Sequence, residues 1–250
     1  GQQLSPNVPL YNSPFTFELL GEISVSHFQT AFQILVDQSD AMRTVFESIE
    51  DIPQAKLLAS VSYRVEFLDF SKRKNSKEDF QIWLNERMEI VFDLSKPLFD
   101  SVLIKMPDNK FIWYFNQHHL ICDASGVAIQ YKAFTKIYKR LSEEATTTDI
   151  NIPLFENYVE YEKNNRLNLK NAAVKAYWEE KSKTVTNNLK LYGKNAEEIT
   201  TLSKRVSLPL GRQRTAKLLE IAKEKDFRLL NSQLTLFNIF ASILSAYLSR

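Results

Sequence analysis

Residues 111–117 read FIWYFNQ. Neighbouring side chains of a strand point to opposite faces. Phe111, Trp113, Phe115 and Gln117 then share one face, and Ile112, Tyr114 and Asn116 share the other. Both faces are largely apolar, which a strand tolerates only when both are covered. The segment predicts a central, doubly covered strand, so the chain must supply strands to pair with it and cover for two faces.

The remaining sequence supplies them. SPFTFELLG reads as a strand closed by Gly21. SVSHFQTAFQILVDQ reads as a helix, with Phe28, Ala31, Ile34 and Leu35 on one face and Ser24 or Ser26 as cap. AMRTVFES returns as a strand, and QAKLLASVSYRVEFLDF holds one or two more. SKEDFQIWLNERMEIVFD predicts a helix, with Phe80, Trp83, Leu84 and Met88 at helical spacing. PLFDSVLIKMPDNKFIWYFNQ predicts a hairpin, two β-rich runs around PDNK. In GVAIQYKAFTKIYKRLSEE, Val127, Tyr131, Phe134, Tyr138 and Leu141 line one side, with Lys132, Lys136, Lys139 and Arg140 opposite. That is an amphipathic helix. FENYVEYEKNNRL and NAAVKAYWEEKSK predict two further helices. Thr184 to Glu198 reads as a polar linker, TTLSKRVSL as a strand, and Thr215 to Lys225 and Leu234 to Ser249 as helices.

Mixed strands and helices, hairpins early and helices late, point to an α+β or α/β class and away from an all-parallel dinucleotide fold. The segment LTLFNIFASILSAYL, 15 residues, is shorter than the roughly 20 a membrane span needs. Its polar residues form one narrow stripe, so it predicts a helix buried inside a protein. Such a helix needs neighbours on most sides, and the expectation is that the fold continues past Arg250 or closes on another chain. The polar N-terminus shows no secretory signal. A formal charge of +2 gives no case for nucleic acid or an anionic membrane. The single cysteine, Cys122, excludes an internal disulfide framework and fits a reducing cytosol.

Five glycines leave no GxGxxG or P-loop, and there is neither CxxC nor HExxH. His27 falls in the first helix. His118 and His119 close the central strand, and alternation sends them to opposite faces: at most one enters a given cavity, and the other is fixed in the core. A histidine there has the chemistry of a general base near neutral pH. Asp123 is placed to cap the following helix or to pair with a cation. A metal site from His119 and Asp123 lacks a third ligand, so none is expected. A Cys122–histidine nucleophile pair is disfavoured because adjacent residues rarely aim at each other.

Several segments together resemble one family. HHLICD fits the HHxxxDG signature of condensation domains of nonribosomal peptide synthetases. DQSDAMRTVF resembles that family's second motif, RHExLRTxF, with Arg43, Thr44 and Phe46 in place. YNSPFTFELLGEISVSHFQTAFQILV resembles the strand and helix before it. FENYVEYEKN and AYWEEKSK resemble the YxDFAxW region and the tryptophan helix behind it. TLFNIFASILSAYLSR resembles the helix opening the second lobe. The likeness is collinear across almost the whole chain.

The resemblance implies an α/β fold (an α+β two-layer sandwich), a chloramphenicol-acetyltransferase-like lobe with the start of a second similar lobe. Residues 1–175 would form the N-terminal lobe with the motif, and 176–250 the connection and the beginning of the C-terminal lobe. It implies amide bond formation, in which a carrier-bound acceptor amine attacks a carrier-bound acyl or peptidyl thioester in a tunnel between the lobes. His119 is then the base or the group that orients the amine. His118 is its structural support, Asp123 pairs with Arg43, and Ala124, Ser125 and Gly126 border the approach of the substrate arm. No intrinsic cofactor is implied: phosphopantetheine arrives on donor and acceptor carrier domains, beside an adenylation domain, in the cytoplasm. The chain departs from the pattern where Ala124 replaces the motif's glycine and where QSD stands for RHE. A stand-alone acyl-CoA-dependent acyltransferase, a non-catalytic recruitment module and an epimerase relative remain open readings.

Overall fold

The computed structural model describes residues 2, 5–50, 52–147, 150–166, 170–183 and 206–249. It divides into two compact units, Gly1–Ser182 and Lys183–Arg250.

The first unit is built on a four-stranded sheet. Strands β1 (Asn12–Leu19), β4 (Glu66–Asp69), β5 (Phe99–Met106) and β6 (Lys110–His118) run in the order β1-β6-β5-β4. β6 pairs antiparallel with β1 and β5, and β4 runs parallel to β5. The doubly apolar strand is thus central, as its two faces demand. The β5–β6 hairpin closes where Lys110 N donates to Pro107 O. Asp108 and Asn109 take positive φ of 60° and 52° there, backbone that short polar side chains tolerate. A separate ribbon pairs β2 (Thr44–Ile49) with β3 (Ile52–Leu57).

Helices α1 (Val25–Gln38) and α3 (Ala124–Ser142) share one core cluster with Phe111, Trp113 and Phe115, and α2 (Ser76–Met88) packs on the other face. Ser24 Oγ accepts from His27 N, and α1 buries Phe28, Ala31, Phe32, Leu35 and Val36, a stripe at helical spacing. Trp113 is fully buried against rings of Phe28, Phe32, Phe134 and Tyr131, and its Nε1 donates to Ser101 Oγ at 2.9 Å. On the reverse face Phe80, Trp83, Leu84 and Met88 of α2 rest on Phe70, Val102, Ile104, Met106 and Tyr114. The α/β class holds, and α2 adds a layer to the sandwich expected from the sequence. Arg87 of α2 grips Asp100 of β5 with two hydrogen bonds, 2.6 and 2.8 Å.

Three local readings are corrected. Ala41–Arg43 forms a 3-10 turn instead of strand, because Asp40 caps it through Ala41 N. The run QAKLLASVSYRVEFLDF holds two strands, the end of β3 and all of β4, within the one or two expected, joined by a stretch that α1 clamps. Gln33 bonds Val61 O and Tyr63 N, and Gln29 bonds Tyr63 O and Val65 N, all between 2.7 and 3.0 Å. Helix α2 stops at Met88 because the chain turns there and Ile90 O is taken by the Asn12 amide at 2.8 Å.

The third concerns the second unit, where α6 (Gly211–Ile221) and α7 (Ser232–Leu248) are described. Asn231 caps α7 through Leu234 N. The expected burial of α7 is not seen: Thr235 and Ile239 are buried, whereas Phe237, 72% exposed, Phe240, Ile243, Leu244 and Tyr247 are open. A helix apolar around most of its circumference cannot be covered by one neighbour. The linker read at Thr184–Glu198 and residues 200–205 of the last expected strand lie outside the described residues; Val206–Leu208 is irregular. Helices α4 (Phe155–Arg166) and α5 (Lys170–Lys183) match the two helices expected there.

Candidate active site

The histidine pair sits where β6 ends. His118 N donates to Leu98 O and His119 N to Tyr11 O, 3.0 and 2.8 Å, so the backbone is held from both neighbouring segments. The chain then turns, with Ile121 N on His118 O at 3.1 Å. Ile121 and Cys122 anchor the turn in a small apolar cluster with Ala41, Leu98 and Val127, which Phe15, Phe46, Phe92 and Phe155 flank. Asp123 Oδ1 accepts from Gly126 N at 2.8 Å and starts α3, the helix-cap role available to it from sequence.

Strand alternation separates the two rings. His118 is 2% exposed, against the rings of Tyr11 and Phe92, and His119 faces solvent. Leu120 N donates to His118 Nδ1 at 3.1 Å. Burial, and secondly the neighbouring His119, hold the His118 imidazole below its ordinary pKa. Unfolded His118 binds a proton that folded His118 resists. This contribution to stability is present above the unfolded value of about 6.5 and is lost as pH falls through the lower folded value. Thermal midpoints in mildly acidic against neutral buffer should therefore drop less in His118→Leu than in the parent chain. An equal drop contradicts the reading.

Arg43 is not where the resemblance implied. It donates to the carbonyls of Leu58 and Ala59, 2.8 and 3.2 Å, and forms no ion pair with Asp123. The reason lies in the local path. Leu58 N bonds Arg43 O, which holds the arginine against the exit of β3. The buried carboxylate at this corner is Asp40, which no sequence argument singled out. It accepts from Ala41 N and reaches across the fold to Phe155 N and Glu156 N, 2.8 and 2.9 Å, at the first turn of α4. Asp40 occupies the position of the motif's glutamate in QSD, the one signal that could have found it.

Ala124 and Ser125 are exposed in the first turn of α3 and Gly126 is half-buried beside them. Gly126 has a packing reason to be glycine: an added Cβ would lie 2.9 Å from Cys122 Sγ. Burial pushes the Cys122 thiol up to about 12, so it is protonated at neutral pH and serves as a packing group. Gly126→Ala should lose about 1–3 kcal/mol by overpacking. In the Cys122→Ala background the same change should cost little, since alanine is the better helix former by about 1 kcal/mol. Denaturant midpoints of the two single variants and the double variant check this; purely additive costs contradict it. Among the described residues no three His, Cys, Asp or Glu side chains cluster as a metal site would require.

Comparison with known proteins follows the same lines. The sequence model of the family described as "Condensation domain" matches residues 1–250. The chain is 29% identical over 130 residues to surfactin synthase subunit 1 of Bacillus subtilis (strain 168), covering 52% of this chain and 4% of that protein. It is 22% identical over 228 residues to isonitrile lipopeptide synthase of Streptomyces coeruleorubidus, covering 90% of this chain and 15% of that protein. A variant of the starter condensation domain of rhizomide synthetase RzmA, solved in complex with C8-CoA and Leu-SNAC, superposes with a TM-score of 0.72 at 21% identity, covering 78% of this chain and 45% of that one. The chain thus spans less than half of that structure and a small part of the curated relatives.

Proposed function

This chain belongs to the condensation-domain family, and we propose that it carries the histidine-bearing part of an amide-forming acyltransferase site. The observation that supports this most is the placing of the pair: a buried, neutral His118 under an exposed His119 on a doubly anchored strand end. In the proposed reaction an acceptor amine nitrogen attacks the carbonyl carbon of a thioester. A C–N bond forms and the C–S bond breaks. His119 takes the proton the amine loses, or orients the amine, and the proton leaves with the thiol. His118 and Asp123 hold the turn that carries His119, and Arg43 ties β2 to the exit of β3. Ala124, Ser125 and Gly126 border the path of the substrate arm.

The substrates are acyl or peptidyl and aminoacyl groups on phosphopantetheine arms of donor and acceptor carrier domains, with an adenylation domain nearby, in the cytoplasm. Among the described residues no helix is long and apolar enough to cross a membrane. The complex of the RzmA starter domain with C8-CoA and Leu-SNAC favours one second reading, a coenzyme A thioester as donor. The experiment supplies the native protein with a loaded acceptor carrier and the same acyl group on either a donor carrier or coenzyme A. Amide product from the carrier-bound donor supports the first reading, and amide from the coenzyme A thioester alone supports the second. No amide from either contradicts both.

A further inference from the structure

Asn12 Oδ1, Asn116 Oδ1 and His118 Nε2 are buried polar atoms without a hydrogen-bond partner, and their residues lie on the α2-facing side of the sheet, as does Tyr114, whose buried hydroxyl is beside the Asn116 side chain. The register makes the three residues neighbours. Asn12 lies directly opposite His118, and Asn116 lies two residues earlier on β6, opposite Pro14. All three side chains point to one face. Asn116 and His118 are 1% and 2% exposed.

Their hydrogen-bonding characters are complementary. His118 Nδ1 accepts from Leu120 N, so a neutral ring carries its proton on Nε2 and Nε2 is a donor. The Asn12 amide nitrogen donates to Ile90 O at 2.8 Å, which turns its oxygen inward as an acceptor. Asn116 Oδ1 is a second acceptor. A single water, with two hydrogens and two lone pairs, can accept from His118 and donate to both amide oxygens, and it keeps one lone pair free; the Tyr114 hydroxyl adds a second donor beside Asn116. Positions two apart on a strand have Cα atoms about 6.5 Å apart, a spacing that one bridging molecule can span. A buried polar atom left unpaired would cost about 1–3 kcal/mol.

We propose that Asn12, Asn116 and His118 form a binding site for one buried water, and that this water locks the His118 tautomer that receives the Leu120 amide. Asn12 and Asn116 are then positioning residues for the turn that presents His119. That consequence rests on the proposed role of His119, but the water site does not.

The test is 15N-histidine NMR on the chain, which has three histidines, and it reads no turnover. The Nε2–H tautomer of His118, with a slowly exchanging proton that shows cross-relaxation to water, is the expected result. Its exchange should accelerate at least ten-fold in Asn12→Leu and in Asn116→Leu. An Nδ1–H tautomer, or unchanged exchange in both variants, overturns the proposal. If neither variant folds, the parent spectrum decides: tautomer and water cross-peak together support the site, and the lack of either overturns it. Loss of amide formation with the spectrum as expected would instead count against the catalytic reading of His119.

Discussion

Asp40→Ala should lower the unfolding free energy of the first unit by about 3 kcal/mol, the largest single loss of stability expected at this site. The carboxylate satisfies three amide groups, those of Ala41, Phe155 and Glu156. Two of them lie 115 and 116 residues away in sequence. Helix starts leave unpaired N–H groups, and here a residue from another segment meets them. Removing it leaves amides in a mostly buried corner, each worth about 1–3 kcal/mol when unsatisfied, less what water regains. Asp40→Asn keeps one acceptor oxygen and should lose about half as much. Urea denaturation of the three proteins checks the order. An Asp40→Ala midpoint equal to the parent would show that Asp40 does not hold α4.

That carboxylate also shows what a sequence reveals and what it hides. The central strand was legible because strand alternation is local: FIWYFNQ has two apolar faces wherever it is placed. The split of His118 from His119 follows from the same alternation, and the cap by Asp123 from a residue three places before its partner. The α1 and α3 stripes were legible for the same reason. Long-range polar partners were not. Nothing in the spacing of Asp40 and Phe155 announces their bond, and nothing in Gln29 and Gln33 announces that they clamp residues 61–65. Arg43 shows the opposite failure: a residue type matched to a family motif supplied an expected partner, and the local path of the chain sent it to two carbonyls instead. From the sequence, Gly126 is placed only at the border of the substrate arm's approach. Its requirement comes from a sulfur packed against it, which only three dimensions disclose. For α7 the apolar pattern was read correctly as a need for cover, but need for cover is not cover.

The family membership of the chain and the geometry of the pair converge on one division of labour. His118 is inside and His119 outside, and in the proposed reading the first is structural and the second is the reacting group. General acid–base assistance typically contributes about 100- to 10,000-fold to a rate, so His119→Ala should lower amide formation by that range. Because His119 is exposed and touches the fold through its backbone, the same variant should unfold within about 0.5 kcal/mol of the parent. His118→Leu makes the contrast. It removes the group that receives Leu120 N and should change stability and its acid dependence before anything else.

The most direct measurement is single-turnover amide formation by the native protein with loaded donor and acceptor carrier domains, parent against His119→Ala, with thermal unfolding recorded on the same samples. The predicted result is a 100-fold or greater loss of amide formation at an unchanged unfolding midpoint. Amide formation at the parent rate in His119→Ala would contradict the assignment of the reacting group.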